Sequence, residues 1–191
     1  AHRRQRQICI RDSDRAVVVS GRSGGIPSFF DSAVGGSGSS PTSPLGAGHR
    51  KIRDGEPVLV DLVHVHRGYV SDCTRMFSSG AMSKEWAQRL EDMAQISDFV
   101  VSKLGAGGSC SEAWHEGKSL SAELGYDHHL MGMPPHQARF LGHSVGLELD
   151  ESPVVAGGFD RPMHTGCTMS IEPKVVFGDG AIGIEDTWVA T

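Results

Sequence analysis

Two stretches of this chain set carboxylates inside otherwise apolar, strand-like sequence, and few folds accommodate that twice. The first runs Val58-Leu59-Val60-Asp61-Leu62-Val63 and returns through Tyr69-Val70-Ser71-Asp72. Side chains of a strand alternate between its faces with a period of two. With a two-residue loop at Arg67-Gly68, His66 faces Tyr69 and Val63 faces Asp72. Asp61 then shares a face with Asp72, one diagonal step away. Any loop of even length preserves that parity. The second stretch pairs Thr168 to Phe177 with Ala181 to Val189 around Asp179-Gly180, a strong hairpin dipeptide. A two-residue loop there predicts Lys174 opposite Glu185 and Glu172 opposite Thr187, and Glu172 and Glu185 again share a face.

A single acid in a strand is ordinarily a solvated charge. Same-face acids in two apolar hairpins are a different case, because a carboxylate removed from water is costly unless something neutralises it. Metal ions do this well. Four carboxylates match the charge of two divalent cations roughly 3.5–4 Å apart, the spacing of two-metal hydrolytic sites. The pattern therefore points to a metal or catalytic site.

The rest of the chain supplies a scaffold of mixed elements. Ala16-Val17-Val18-Val19 reads as a short buried strand. From Gly21 to Gly48 the Gly, Ser and Pro content reads as a linker, while Ile26, Phe29, Phe30, Val34 and Leu45 read as anchors of an ordered loop. Ser83 to Leu104 is an amphipathic helix with Ser83 as its cap, Leu90, Met93, Phe99 and Val100 near helical spacing, and Gly105 at its close. Ser111 opens a second helix that stops at Gly125, and Tyr126 to Arg139 is a loop. Strands joined by hairpins, with helices between them, place the chain in the α+β class. Its 191 residues amount to about one domain.

Composition excludes several function classes. A net charge of −5 argues against a general nucleic-acid binder. No apolar run approaches the roughly 18–20 residues of a membrane span. Arg3, Arg4 and Arg6 near the N-terminus are not followed by a signal-type apolar stretch. Cys9, Cys73, Cys110 and Cys167 are scattered and form no C-x-x-C pair, so neither a disulfide framework nor a zinc knuckle is expected. Four free thiols suit a reducing, cytoplasmic setting.

Five segments carry a resemblance. They are Val60-Asp61-Leu62 with Gly68-Tyr69-Val70-Ser71-Asp72-Cys73-Thr74-Arg75; Gly142-His143-Ser144-Val145-Gly146-Leu147-Glu148; Ser170-Ile171-Glu172-Pro173; and Gly183-Ile184-Glu185-Asp186-Thr187. In this order and spacing they resemble the pita-bread metallopeptidase family of methionine aminopeptidase, Xaa-Pro aminopeptidase, prolidase and the metal-free creatinase. The details are most like the Xaa-Pro peptidase branch, and the likeness runs from about Ser20 to the C-terminus. The resemblance implies a curved antiparallel sheet covered by helices. It implies that Asp61 chelates one metal, that Asp72 and Glu185 bridge two, and that His143 and Glu172 complete the second site. Two ions of Mn²⁺, Co²⁺, Fe²⁺ or Zn²⁺ suit such a set. A metal-bound water is then the expected nucleophile, Glu172 its general base, and Asp61 a neighbour of the substrate's α-amine. The expected activity is hydrolysis of an N-terminal peptide bond, with a peptide as substrate.

The sequence also departs from that pattern. Two histidines usual in active members align with Asp150 and with Ser28, at positions expected to contact substrate. Losing such a donor costs around 10²–10³ in rate. His136, in the loop before His143, is the catalytic substitute considered; His128 and His129 are further candidates, all three against the simpler reading of solvated loop histidines. His64 and His66 fall on the opposite face from Asp61 and are expected at the surface. Arg75 either pairs with a site carboxylate or sits solvated. Residues 1–15 form an unassigned N-terminal segment and 16–191 the catalytic domain, without the N-terminal domain that often aids dimerisation in the family, so a homodimer stays open. Hydrolysis of a non-peptide C–N bond, as in creatinase, and a non-catalytic binding module are the alternatives.

Overall fold

The computed structural model describes residues 15–29 and 31–191. Cys9, Phe30 and the basic residues Arg3, Arg4 and Arg6 lie outside the described residues. Strand β1 (Arg15–Ser20) pairs antiparallel with β2 (Val58–His66), and β2 pairs with β3 (Tyr69–Phe77). His66 faces Tyr69 and Val63 faces Asp72, as the alternation predicts. Both loop residues take positive φ, 53° at Arg67 and 84° at Gly68. That is the backbone whose twist suits a two-residue hairpin, and it is strained for Arg67 but not for Gly68.

Between β1 and β2 the chain makes a 3-10 turn at Gly21–Gly25 and a long loop. Gly35 and Gly36 donate to Ile26 O, and Gly46 donates to Gly35 O, so backbone pairing orders the loop. Its expected anchors are only partly right. Val34 is buried together with Ala33, whereas Ile26, Phe29 and Leu45 are exposed.

Helix α1 (Lys84–Gly105) starts where expected, with the Ser83 hydroxyl accepting from Trp86 N–H. Trp86, Met93, Ile96 and Val100 form its buried stripe, while Phe99 is only partly covered. Helix α2 (Cys110–Glu123) is capped by Ser109 rather than Ser111. The Ser109 hydroxyl accepts from Glu112 N–H and the Glu112 carboxylate accepts from Ser109 N–H, a reciprocal box. α1 packs against α2 on one side and against the strands of the second hairpin on the other.

The C-terminal strands are β4 (Gly142–Ser144), β5 (Glu151–Val154), β6 (Thr168–Ile171), β7 (Lys174–Phe177), β8 (Gly180–Gly183) and β9 (Asp186–Val189). They form a four-stranded antiparallel sheet in the order β5-β4-β6-β9 and a two-stranded ladder, β7-β8. β4 and β5 escape sequence analysis because three or four residues are too few to show alternation. The second hairpin differs from expectation in two respects. Its loop is Gly178-Asp179, since Phe177 pairs with Gly180, which puts Lys174 opposite Gly183. Each of its long arms is also broken in two, at Glu172-Pro173 and at Ile184-Glu185. Proline has no N–H to give a ladder, so the pairing lapses there. The shift is two residues, so the face assignment survives. With Ile171 opposite Asp186 and Lys174 opposite Gly183, Glu172 stands level with Glu185 instead of diagonal to it.

Glu185 uses the gap to reach the other sheet. Thr74 N–H donates to Glu185 O at 3.2 Å and Glu185 N–H donates to Thr74 O at 3.3 Å. The core of Leu59, Met93, Ile96, Met169, Ile171 and Ile182 lies beneath these strands. No helix among the described residues is long and apolar enough to cross a membrane.

Candidate metal centre

Five side chains from separate elements meet at this junction. Asp61 comes from β2, Asp72 from β3 and His143 from β4, while Glu172 and Glu185 come from the two strand breaks. All but Asp61 are buried, and Glu185 is completely so. Ligand atoms of Asp72, His143 and Glu185 all lie within 4.8 Å of one another. His143 Nε2 is 3.2 Å from Glu172 Oε1. The four acids marked by parity, and His143 implied by the resemblance, are thus brought near one another.

Hydroxyls hold the acids in place. Glu185 accepts from Thr74 Oγ1 on Oε2 and from Ser170 Oγ on Oε1, each at 2.8 Å. Thr187 Oγ1 donates to Asp72 O and accepts from Asp72 N–H. Arg75 pairs with none of the five side chains of the cluster. Its guanidinium donates to the carbonyls of Thr74 and Glu185 and pairs with Asp186, which fastens the second hairpin to β3.

The electrostatics are those of crowded carboxylates. Burial, with Glu185 and Asp61 nearby, pushes Asp72 up to about 9. Burial and Glu172 push Glu185 up to about 7. Burial raises Asp61 as well, against the pull of Lys174. Burial acts to raise Glu172 too, but Lys174 and His143 outweigh it and hold that carboxylate at about 2. Burial would lower His143, yet contact with Glu172 lifts it to about 10.

Asp72 Oδ1 is buried with no hydrogen-bond partner. A buried acceptor left unsatisfied costs about 1–3 kcal/mol, and a cation in contact with Asp72, His143 and Glu185 would relieve it. An imidazole with two carboxylates is a chemically apt donor set for a divalent transition ion. These residues fit one ion.

The other pole of the cluster is already held by a cation that sequence analysis left unassigned. Lys174 is fully buried. Its Nζ lies 2.5 Å from Glu172 Oε2, 2.9 Å from Glu185 Oε2 and 3.5 Å from Asp61 Oδ2. Burial would depress this ammonium, but Asp61, Glu172 and Glu185 hold it well above its ordinary value. The signal for it was parity, since Lys174 follows Glu172 by two and so shares its face. Thr74, Ser170 and Thr187 were missed for the simpler reason that hydroxyls in strands carry no distinguishing pattern.

The other expected residues lie as follows. Asp150 is exposed, with Oδ1 3.7 Å from His143 Nδ1, so it borders the cluster on the histidine side. Ser28 is buried, and its hydroxyl donates to Ser32 O at 2.9 Å within its own turn. His136 is exposed and packs edge-on against Phe29, ring centroids 5.1 Å apart. His128 is exposed beside Asp127. His129 stacks on Phe177 and bonds Val176 O through Nδ1, a structural role rather than a solvated one. His64 and His66 are exposed on the outer face of β2, as expected. Among the described residues Cys73, Cys110 and Cys167 are free thiols.

Residues 11–191 match the model of metallopeptidase family M24. An Xaa-Pro dipeptidase of Lactobacillus delbrueckii subsp. lactis is 27% identical over 169 residues, covering 88% of this chain and 44% of the relative. An Xaa-Pro dipeptidase of Pyrococcus horikoshii is 28% identical over 164 residues, covering 85% and 44%. The crystal structure of the prolidase from Pyrococcus horikoshii superposes with a TM-score of 0.73 at 24% identity, covering 92% of this chain and 44% of that one. The α+β architecture is thus the pita-bread fold, and the chain spans less than half the length of the relatives it matches.

Proposed function

The chain belongs to metallopeptidase family M24, and from that premise we propose that it is a metal-dependent aminopeptidase hydrolysing an N-terminal peptide bond, of Xaa-Pro type. The observation that carries the proposal is the convergence of Asp72, His143 and Glu185 within 4.8 Å, with Asp72 Oδ1 buried and unpartnered. A divalent ion bound there supplies Lewis acidity toward a water nucleophile and the scissile carbonyl. The chain's own residues supply the remainder. Asp61 is the least buried acid of the cluster, with 19% of its side chain exposed, which suits it to meet a substrate's α-ammonium. The Lys174 ammonium occupies Glu172 Oε2, so the oxygen proposed to take a proton from water is Oε1, which His143 Nε2 holds at 3.2 Å. The Xaa-Pro preference rests on the likeness to Xaa-Pro dipeptidases.

The test loads the purified chain with Mn²⁺ or Co²⁺ and offers it Xaa-Pro and Met-initiated peptides. Cleavage of Xaa-Pro peptides is expected, abolished by chelation and reduced at least about 10²-fold in Glu172→Gln. An active Glu172→Gln would remove Glu172 as the base. Failure to take up metal even in excess would sink the whole proposal. One observation favours a second reading, a metal-free binding module: Lys174 already neutralises part of the acidic cluster. Peptide binding without metal uptake or cleavage is the result that reading requires.

A further inference from the structure

We propose that Lys174 is a built-in substitute for one of the two metal ions implied by the resemblance, so that this chain binds a single divalent ion at Asp72, His143 and Glu185. The inference rests on the metal-dependent reading above and specifies its cofactor.

Three observations lead to it. The first is position. Lys174 Nζ stands among Glu172 Oε2, Glu185 Oε2 and Asp61 Oδ2 at 2.5, 2.9 and 3.5 Å. A transition ion requires its oxygen ligands about 2.0–2.2 Å away. The ion that the resemblance places on Asp61, with Asp72 and Glu185 bridging, would have to compete with the ammonium for Asp61 Oδ2 and Glu185 Oε2.

The second is accommodation. Lys174 lies opposite Gly183 in the β7-β8 ladder. A Cβ added at Gly183 would stand 2.4 Å from Lys174 Cγ and 3.1 Å from its Cβ. The stem therefore runs through space that exists because residue 183 has no side chain. With 1% of its side chain exposed, the lysine is enclosed by the fold and is not a surface residue folded inward.

The third is charge. Asp61, Asp72, Glu172 and Glu185 carry up to four negative charges. One ammonium and one divalent cation neutralise three of them and leave the fourth for a substrate ammonium. Two divalent cations together with the lysine would leave the cluster net positive. The division of labour matches the geometry: the lysine's ion pairs are with Asp61, Glu172 and Glu185, and Asp72 Oδ1 is a buried oxygen without a hydrogen bond.

The test counts ions on the chain itself, with no substrate present. The protein is dialysed to equilibrium against excess Mn²⁺, and bound metal per chain is measured by native mass spectrometry. Electron paramagnetic resonance on the same sample distinguishes an isolated Mn²⁺ from an exchange-coupled pair. The wild-type chain is expected to hold one ion with an uncoupled spectrum, and Lys174→Ala to hold two that are coupled. Two coupled ions in the wild-type chain would overturn the inference and leave the metal-dependent reading intact. A folded Lys174→Ala that still takes one ion would overturn it as well. Should that variant not fold, the wild-type count and spectrum decide alone. No ion in the wild-type chain would overturn the metal-dependent reading itself, and the inference with it.

Discussion

Lys174 and Asp72 illustrate how differently two ionisable residues of one cluster contribute. The ammonium is the cation that lets Glu172, Glu185 and Asp61 stay together. Removing one partner of such a buried group costs about 3–5 kcal/mol. Lys174→Ala should lose stability of that size in urea unfolding with chelator present, and added Mn²⁺ should restore much of it. Asp72 behaves oppositely. Pushed up to about 9 by burial and its acidic neighbours, it is already protonated at neutral pH without a cation. Asp72→Asn should therefore change stability in chelator by less than about 1 kcal/mol yet abolish the thermal shift produced by Mn²⁺. The same shifts set a pH dependence. Asp72 and Glu185, with folded values of about 9 and about 7, retain protons that the unfolded chain releases near its ordinary carboxylate values. His143, lifted to about 10, does the same above its ordinary 6.5. The folded state thus binds more protons across this range, and stability falls as pH rises. Glu172, held at about 2, loses its contribution only in strong acid. In chelator the melting temperature should be lower at about pH 8.5 than at about pH 5.5; a higher value there would refute the assignment.

At the scale of elements, the second hairpin matters most because it is imperfect. An unbroken ladder would tie Glu172 and Glu185 to each other's backbones. Pro173 interrupts it, Glu172 N–H turns to Leu141 O, and Glu185 pairs with Thr74 across the junction. Just beyond the break, Gly183 leaves the groove for the lysine stem. Gly183→Ala would drive a methyl into Lys174 Cγ, built at 2.4 Å. Overpacking of that kind costs about 1–3 kcal/mol, readable as a lower denaturant midpoint. The helices follow more general rules. Ser109 closes its capping box with Glu112, and Ser109→Ala should cost about 0.5–2 kcal/mol. Both helix starts were legible in the sequence to within two residues, because a cap is a local property of serine and the N–H groups that follow it. β4 and β5 were not legible, because three- and four-residue strands are defined by their partners.

For the whole molecule, the centre depends on two separately built sheets meeting along a seam that runs through Thr74 and Glu185. Thr74 joins β3 to the second hairpin by two backbone bonds and donates its hydroxyl to Glu185 Oε2 at 2.8 Å. Arg75 reinforces the same seam through Glu185 O and Asp186. Thr74→Val keeps the shape but deletes the hydroxyl that orients a ligand. Loss of an orienting partner of this kind weakens metal affinity about 10–100-fold, and calorimetric titration with Mn²⁺ should show it without gross unfolding. The likeness to Xaa-Pro dipeptidases covers 88% and 85% of this chain but only 44% of theirs, and the family match over residues 11–191 contains every residue of the centre.

The sequence alone determined which faces carry the acids. Alternation with period two is a property of the strand itself, so Asp61 with Asp72, and Glu172 with Glu185, stayed on common faces even though the second hairpin slipped by two residues. It also determined the Ser83 cap, the Arg67-Gly68 loop and the family-like order of the candidate ligands. Only the tertiary structure decided that His143 sits on the short β4 beside Glu172, that Glu172 and Glu185 leave their ladders, and that Lys174 occupies one pole of the cluster. Those outcomes rest on contacts such as Thr74 to Glu185, 111 residues apart, and on the missing side chain of Gly183. Periodicity gives the direction of a side chain relative to its own strand. Which cation meets which carboxylate depends on how far apart the strands are and on the space their neighbours leave.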